Sequence, residues 1–266
     1  MATWGIKPKR RSINVNSTRR SAAFFPILLA AGAISVAPST SAQALDLREE
    51  GPPEIEKCQT ISQSGSYKLV NNLTFTGSSG ACLTITASSV TIDLAGFTIS
   101  GPVSGFTRGT GILASGDLSG IAVQNGSLSG FGNGIDLRSA TGSLVEKLRV
   151  FNSGTSANTA GIIASGIVRN NAVFDNAGIG ISATGTVSGN YATGNQTGMS
   201  IGQLVGTIPI GGSTVIDNTS THNRLFGFFV ICPSNVTDNT SVNNLDGNLV
   251  LETSRGSCNT TNNVAP

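Results

Sequence analysis

The chain has 266 residues, of which 38% are hydrophobic, 5% aromatic and only 11% charged, and 34 are glycines. This length suggests one large domain or two small ones. The low charge and the many β-branched residues argue against a disordered chain. The formal net charge is +2, and the charged residues are unevenly distributed along the chain.

Residues 1–44 predict a secretory signal that is cut after Ala44. The segment has a basic start, the apolar run AAFFPILLAAGAISVA at 22–37, and small residues in STSAQA at its end. This order and the A-x-A spacing are typical of an export signal. The apolar run contains a proline and is too short for a good membrane span. We therefore expect an exported protein, periplasmic or extracellular, with no membrane span in the mature chain.

Removing the signal reverses the charge. It carries six of the 16 Lys and Arg residues and none of the 14 Asp and Glu residues, so ten basic residues remain against 14 acidic ones. The mature chain then has a net charge of about −4 at neutral pH. A nucleic-acid partner is not expected, because its phosphates attract basic surfaces.

Residues 45–80 predict an amino-terminal cap, which opens with the acidic stretch LDLREEGPPEIEK. Four cysteines lie in the exported part, and an even number in a secreted chain indicates two disulfides. Of the three possible pairings we favour Cys58–Cys82 and Cys232–Cys258, since each pair then lies near one end of the domain. Free buried thiols are the alternative. Each bridge would contribute about 3 kcal/mol in the chain-entropy model.

A repeat of about 20 residues occupies most of 81–266. Its units share two asparagines five residues apart, a valine three residues before the first, and a glycine that opens the next apolar stretch. The asparagine pairs are Asn171 and Asn176, Asn190 and Asn195, Asn218 and Asn223, and Asn239 and Asn244. Short apolar segments repeated at this period are typical of a solenoid. No segment has a helical period, so we predict an all-β fold, a single-stranded parallel β-helix of about seven to eight coils.

The repeated asparagines have a structural explanation. After glycine, asparagine is the residue that best tolerates the left-handed conformation of sharp turns. Coils stack at about 4.8 Å, so equal amides lie above one another and can form hydrogen bonds along the stack. We interpret these asparagines as turn and ladder residues and not as a binding site.

The stretches VTIDLAGFTISG (90–101), VQNGSLSGFGNGI (123–135) and VSGNYATGNQTG (187–198) resemble right-handed parallel β-helix proteins of the pectin-lyase-like superfamily. The resemblance covers about 80–263 and is greatest to bacterial exported proteins of the carbohydrate-binding and sugar-hydrolase repeat class. It implies a right-handed helix. Relatives include polysaccharide lyases, hydrolases, epimerases, phage tailspikes and non-catalytic adhesins, so the motifs indicate fold better than function.

Alternation along each strand predicts which side chains point outward. After the glycines, the predicted inward residues are Ile135, Ile162, Ile179, Met199, Phe228 and Leu249. On the outward columns of these strands only Asp136 and Arg138 are catalytic candidates, and we expect a surface ion pair. Glycoside hydrolysis needs two carboxylates about 5–9 Å apart, so we assign no catalytic residue.

The strand between the two asparagines predicts a ligand face. Its outward members include Arg149, Phe151, Phe174 and Tyr191 on three successive coils. Exposed aromatic patches indicate a partner or ligand, and aromatic rings stack on sugar faces. The expected partner is a polysaccharide or a cell-surface glycan. The alternative is that the 154–160 loop or the amino-terminal segment covers these side chains.

Two aspartates could hold a metal ion. Asp217 and Asp238 each precede the first asparagine in neighbouring coils, and stacked carboxylates repel unless a cation such as calcium lies between them. A solvated pair of turn residues is the alternative, and no other cofactor is expected. We predict that His222 is a surface turn residue. We also predict that residues 203–212 form a protruding loop.

The favoured hypothesis is a non-catalytic exported β-helix with a structural or glycan-facing role. The alternative is a polysaccharide lyase or hydrolase whose active residues are hidden by a register error. A metal-binding accessory role, like that of periplasmic copper-linked β-helix proteins, is a third.

Overall fold

The computed structural model describes residues 51–102, 109–207 and 210–266; the predicted export signal lies outside them. Every regular element in this part is a β-strand, and no helix long and apolar enough to cross a membrane occurs there. The strands are β1 Glu54–Ile55, β2 Gln59–Ile61, β3 Gly65–Leu69, β4 Leu73–Thr74, β5 Ala81–Ile85, β6 Val90–Asp93, β7 Thr98–Ser100, β8 Thr110–Ala114, β9 Leu118–Ser119, β10 Ala122–Ser129, β11 Asn133–Leu137, β12 Ala140–Thr141, β13 Ser143–Phe151, β14 Ala160–Arg169, β15 Ala172–Phe174, β16 Ile179–Ser188, β17 Tyr191–Thr193, β18 Thr197–Ile201, β19 Thr214–Ile216, β20 Thr219–Thr221, β21 Phe226–Ile231, β22 Asn235–Thr237, β23 Thr240–Val242, β24 Gly247–Glu252 and β25 Asn259–Thr261.

The strands stack in parallel to form three faces. Face A contains β2, β5, β8, β11, the first parts of β14 and β16, β18, β21 and β24. Face B contains β1, β3, β6, the first parts of β10 and β13, the second parts of β14 and β16, β19, β22 and β25. Face C contains β4, β7, the second parts of β10 and β13, β15, β17, β20 and β23.

The chain passes through faces A, B and C in turn, which makes a parallel β-helix. The described residues form nine coils, numbered 1 to 9, at 59–74, 81–100, 110–129, 133–151, 160–174, 179–193, 197–221, 226–242 and 247–264. Eight of them lie within 81–266, in agreement with the expected number. The predicted boundary at residue 81 is not a break in the sheet, because β2, β3 and β4 pair with β5, β6 and β7. The predicted cap therefore includes coil 1.

The core is a column of aliphatic side chains that point into each coil. On face A, Ile162 pairs with Ile181, and both are fully buried. The expectation that Ile179 is the inward member of coil 6 is wrong, because Ile179 packs against the separate cluster of Ala160, Ile163 and Leu204, whereas Ile181 lies in the main core. The glycine that precedes the inward residue in this coil is Gly180, two positions later than expected.

Two asparagine ladders run through the coils, and the predicted stacking is confirmed. Asn171 donates from both its backbone N and its Nδ2 to Asn190 Oδ1, each at 3.0 Å. Asn190 Nδ2 donates in turn to Val168 O at 2.9 Å and to Asn218 Oδ1 at 3.0 Å. The first ladder contains Asn171, Asn190, Asn218, Asn239 and Asn263. The second contains Asn176, Asn195, Asn223, Asn244 and Asn248.

The left-handed turn residues are not the ladder asparagines themselves. They are the residues immediately before them, such as Asn170 (φ 56°), Asp217 (φ 55°) and Asp238 (φ 55°). The predicted conformation is thus displaced by one position, because the left-handed residue makes the turn and the next side chain then enters the core.

Both predicted disulfides are confirmed. Cys58–Cys82 joins coils 1 and 2, with Cα atoms 4.5 Å apart, and Cys232–Cys258 joins coils 8 and 9, with Cα atoms 4.9 Å apart. No free cysteine remains among the described residues. Each bridge thus ties a terminal coil to its neighbour.

Candidate functional site

The structure brings the four predicted ligand-face residues together on the outside of face C. Arg149 pairs with Ala172, which pairs with Tyr191, and beside them Phe151 pairs with Phe174. The parallel register therefore places side chains from coils 4, 5 and 6 in two adjacent columns. We call Arg149, Phe151, Phe174 and Tyr191 the face-C patch.

The two phenylalanine rings and the guanidinium of the face-C patch are in contact. Phe151 and Phe174 stack with centroids 5.0 Å apart and an interplanar angle of 2°. The Arg149 Cζ atom lies 5.6 Å from the Phe174 centroid, which is within the range of a cation–π contact. Tyr191 is 45% exposed, whereas the two phenylalanines are half-buried. This arrangement offers apolar ring surface beside one positive charge.

The 154–160 loop, which was the alternative cover for this patch, bonds to the corner that leads into face A. Ala177 N donates to Ser153 O at 2.8 Å, and Ile179 N donates to Thr159 O at 2.9 Å. Arg149 and Tyr191 remain exposed. The outward positions on either side of the patch carry small hydroxyl side chains, namely Ser127, Ser129, Thr193, Thr219 and Thr221.

The expected ion pair between Asp136 and Arg138 is present, but its carboxylate is buried and not at the surface. Arg138 donates from Nε to Asp136 Oδ1 at 2.8 Å and from Nη2 to Oδ2 at 2.7 Å. The Asp136 side chain is only 8% exposed. Asn133 Nδ2 donates to the same carboxylate at 3.1 Å. Both oxygens of the Asp136 carboxylate thus accept hydrogen bonds from side chains of the protein itself.

The segment that covers this pair is the one predicted to protrude. Residues 203–207, here called the strap, pack against face A, and the expectation of a free loop is wrong for this part. Arg138 Nη1 donates to Val205 O at 2.8 Å, and Val205 N donates to Ser182 Oγ at 3.0 Å. Leu204 packs against Ala160 and Ile163. The sequence signal that was missed is Ile163, an aliphatic residue on a column that points outward.

The two metal candidates occupy equivalent left-handed turns in coils 7 and 8. Asp217 N donates to Thr237 O at 3.3 Å, and Asp238 N donates to Thr261 O at 3.0 Å. His222 has the same conformation, with φ 54°. Asp is one of the residues that tolerate this region, so the turn itself explains both aspartates. The described residues contain no group of three or more His, Cys, Asp or Glu side chains that could hold a metal ion, and calcium binding stays a prediction.

A carboxylic acid that donates a proton near neutral pH needs a raised pKa. The pKa of Glu252 is lowered because its carboxylate accepts a hydrogen bond from the backbone N–H of Ser254 and a further bond from the Ser254 side chain. Glu252 therefore does not have the properties of a general acid.

The sequence matches the family described as right handed beta helix region over residues 59–210, which is more than half of the chain. Among solved structures, the chain is similar to the crystal structure of the Dettilon tailspike protein (gp208), with 16% identity and a TM-score of 0.45. That alignment covers 71% of this chain and 46% of the tailspike chain, so the match spans under half of the tailspike's length. Comparison with curated proteins gives no match. Since the matched residues include β2 to β18 of the coiled sheet, the chain belongs to the right-handed β-helix family.

Proposed function

We propose that the protein is an exported, non-catalytic β-helix that binds a polysaccharide or cell-surface glycan through the face-C patch. The observation that carries this proposal is the stack of Arg149 and two phenylalanine rings on the outside of the sheet, beside the exposed ring of Tyr191. The rest of the helix keeps most of its large apolar side chains inside. An aromatic cluster on the outer surface is therefore a candidate contact for a ligand.

The geometry of the patch suits a sugar. Carbohydrates present apolar C–H faces that stack on aromatic rings, and hydroxyl groups that form hydrogen bonds. Aromatic rings supply the first contact. Hydroxyl side chains such as Ser129 and Thr193 lie next to the rings in the same column. They can donate and accept hydrogen bonds with the hydroxyl groups of the sugar. The patch lies on a rigid parallel sheet, so little side-chain or backbone order has to be gained on binding.

Export is supported by the two disulfides, which form and persist in oxidising compartments. The absence of catalysis is supported by the state of Asp136, whose carboxylate is paired with Arg138 and covered by the strap. Glycoside hydrolysis requires two available carboxyl groups on opposite sides of the scissile bond. Neither argument depends on the identity of the glycan.

The test is a glycan array probed with the wild type and with an Arg149→Ala, Phe174→Ala double variant. We expect the double variant to lose at least about tenfold in affinity, which corresponds to about 1.4 kcal/mol. The matched control is Arg255→Ala with Leu245→Ala, which removes an exposed arginine and a leucine that is 80% exposed on the final turns.

Equal binding by the wild type and the double variant would remove the face-C patch as the site. Release of new reducing ends or unsaturated products from a polysaccharide would favour the alternative, a lyase or hydrolase. In that case Asp136→Asn should abolish the activity if the covered carboxylate takes part in the reaction.

A further inference from the structure

We infer that the ligand of the face-C patch is a linear acidic glycan that runs along the helix axis with an anionic group at Arg149. This inference rests on the proposed glycan-binding function and adds the charge and the orientation of the ligand.

Arg149 differs from two other arginines of the sheet in its partner. Arg138 forms an ion pair with Asp136 at 2.7 Å, and Arg169 forms one with Glu146 at 2.6 Å. Within the described part of the chain, Arg149 has no carboxylate partner and its guanidinium lies over the Phe174 ring. Stacking on a ring orients a guanidinium while its edge N–H groups stay available for a carboxylate or sulfate. An anionic ligand would complete this pair.

The turns between faces B and C occupy equivalent positions in successive coils, and the charges at these turns also favour an anion near Arg149. Lys147, two residues before Arg149, is exposed and occupies this turn in coil 4, with φ 54°. Asp217 and Asp238 occupy the equivalent position in coils 7 and 8. In these turns the positive charge therefore lies at coil 4 and the negative charges three to four coils away, while Asp175 is an exposed carboxylate directly after Phe174 in coil 5. We therefore expect the acidic sugar unit at coils 3 and 4, beside Lys147 and Arg149 and away from Asp175, and not beyond coil 6.

The shape of face C gives the direction of the ligand. The strands β15 and β17 have three residues each, so a ligand that lay parallel to the strands would cover only about 10 Å of face C. Along the axis, the outward positions continue from Ser127 and Ser129 through Arg149 and Phe151 to Phe174 and Tyr191. Coils 3 to 6 span about 14 Å at the usual strand spacing. A linear glycan along the axis would meet hydroxyls, the guanidinium and the rings in turn.

The test compares two hexasaccharides that share one linkage and differ in the carboxylate. A β-1,4-linked glucuronate hexamer and cellohexaose are titrated against the full chain by calorimetry, with a sulfated cellohexaose as a third probe. We expect the glucuronate hexamer to bind at least about tenfold more tightly than cellohexaose at low salt, the size of one charge-assisted hydrogen-bonded pair. The advantage should shrink as salt is raised. The glucuronate dimer should bind more weakly than the hexamer.

The variants separate charge from ring stacking. Arg149→Gln should remove the preference for the glucuronate hexamer and leave the binding of cellohexaose nearly unchanged. Phe174→Leu should weaken both ligands. Arg255→Gln, at an exposed arginine in the turn after β24, should change neither and serves as the control for net charge.

The possible outcomes are distinct. Equal binding of the glucuronate hexamer and cellohexaose, unchanged by Arg149→Gln, overturns the acidic ligand and leaves the proposed glycan site standing. Binding of the sulfated probe alone supports an anionic ligand and identifies the group as a sulfate. No binding of any probe by folded protein overturns both this inference and the proposed function.

Discussion

At the level of single residues, each turn between faces B and C contains two neighbouring residues with different structural roles. In coils 5, 7 and 8 the first residue is left-handed and exposed, as Asn170, Asp217 and Asp238 are. The second is a ladder asparagine that is almost completely buried. A buried amide that lost its partners would cost more free energy than an exposed turn residue replaced by another tolerant one. The two positions should therefore respond differently to mutation.

We predict that Asn190→Ala lowers the free energy of unfolding by about 3 kcal/mol or more, since the backbone N of Asn171 and the carbonyl of Val168 both lose their buried partner. Asn170→Gly, at the adjacent left-handed position on the previous coil, should change it by less than about 1 kcal/mol. Chemical denaturation followed by circular dichroism measures both. Similar losses in the two variants would contradict the division of tasks.

The role of Asp217 can be separated from calcium binding. If its task is only the left-handed turn, Asp217→Asn should leave the melting temperature unchanged, and Asp217→Val should lower the free energy of unfolding by about 1–2 kcal/mol. Addition of EDTA should then have no effect on the wild type. A melting temperature that falls with EDTA, and a fall that is absent in Asp217→Asn, would establish the calcium site instead.

At the level of elements, the strap changes the character of face A. Without it, Ile163 and Ser182 would point into solvent; with it, both are fully buried. The strap is held by Leu204, which packs on Ile163, and by the hydrogen bond from Arg138 to Val205 O. One short insertion in coil 7 thus converts part of an outer face into a small second core.

We predict that Leu204→Ala lowers the free energy of unfolding by about 2 kcal/mol, because it leaves a cavity between the strap and face A. Ile210→Ala is the matched control, since that side chain is 65% exposed and should change stability by less than about 0.5 kcal/mol. Thermal melts of the two variants give the comparison. If the strap does not stabilise the fold, Leu204→Ala should change the free energy of unfolding as little as Ile210→Ala does.

At the start of coil 6 the sequence offers two glycines for one structural position. In coil 6 two glycines, Gly178 and Gly180, stand within three residues, and either could open the apolar stretch. The parallel register places Gly180 level with Gly161 and Gly198, and a Cβ at Gly180 would come within 2.6 Å of Gly198 O, whereas one at Gly178 would meet Thr159 O at 2.2 Å. These close approaches exist only between stacked coils, so the local sequence does not distinguish the two glycines.

At the level of the whole molecule, a solenoid is stabilised mainly by contacts between neighbouring coils. Its terminal coils have one neighbour each, so we expect unfolding to begin there. The side chains of β24 in coil 9 are all partly exposed, while the equivalent inward residues of coils 4 to 8 are fully buried. The disulfides are placed where this weakness is greatest, between coils 1 and 2 and between coils 8 and 9.

We predict that Cys232→Ala with Cys258→Ala destabilises coil 9 by about 3 kcal/mol, the value for a closed loop of this length. Hydrogen exchange followed by mass spectrometry should show faster exchange in 247–264 and unchanged protection in 160–193. Cys58→Ala with Cys82→Ala should instead speed exchange in 54–74. Loss of protection along the whole chain in either variant would contradict local fraying.

The sequence by itself determined the repeat, the parallel β-helix and the gathering of the four face-C residues, because each follows from spacing and alternation along the chain. It favoured the two observed disulfides among three possible pairings, and the structure decided between them. Only the tertiary structure decided which turn position is left-handed, which glycine opens coil 6, and that the strap covers Asp136 and Arg138. These features depend on contacts between residues that are far apart in the sequence, such as Arg138 with Val205. A repeat specifies how coils stack, but an insertion carries no periodic signal that states which face it will cover.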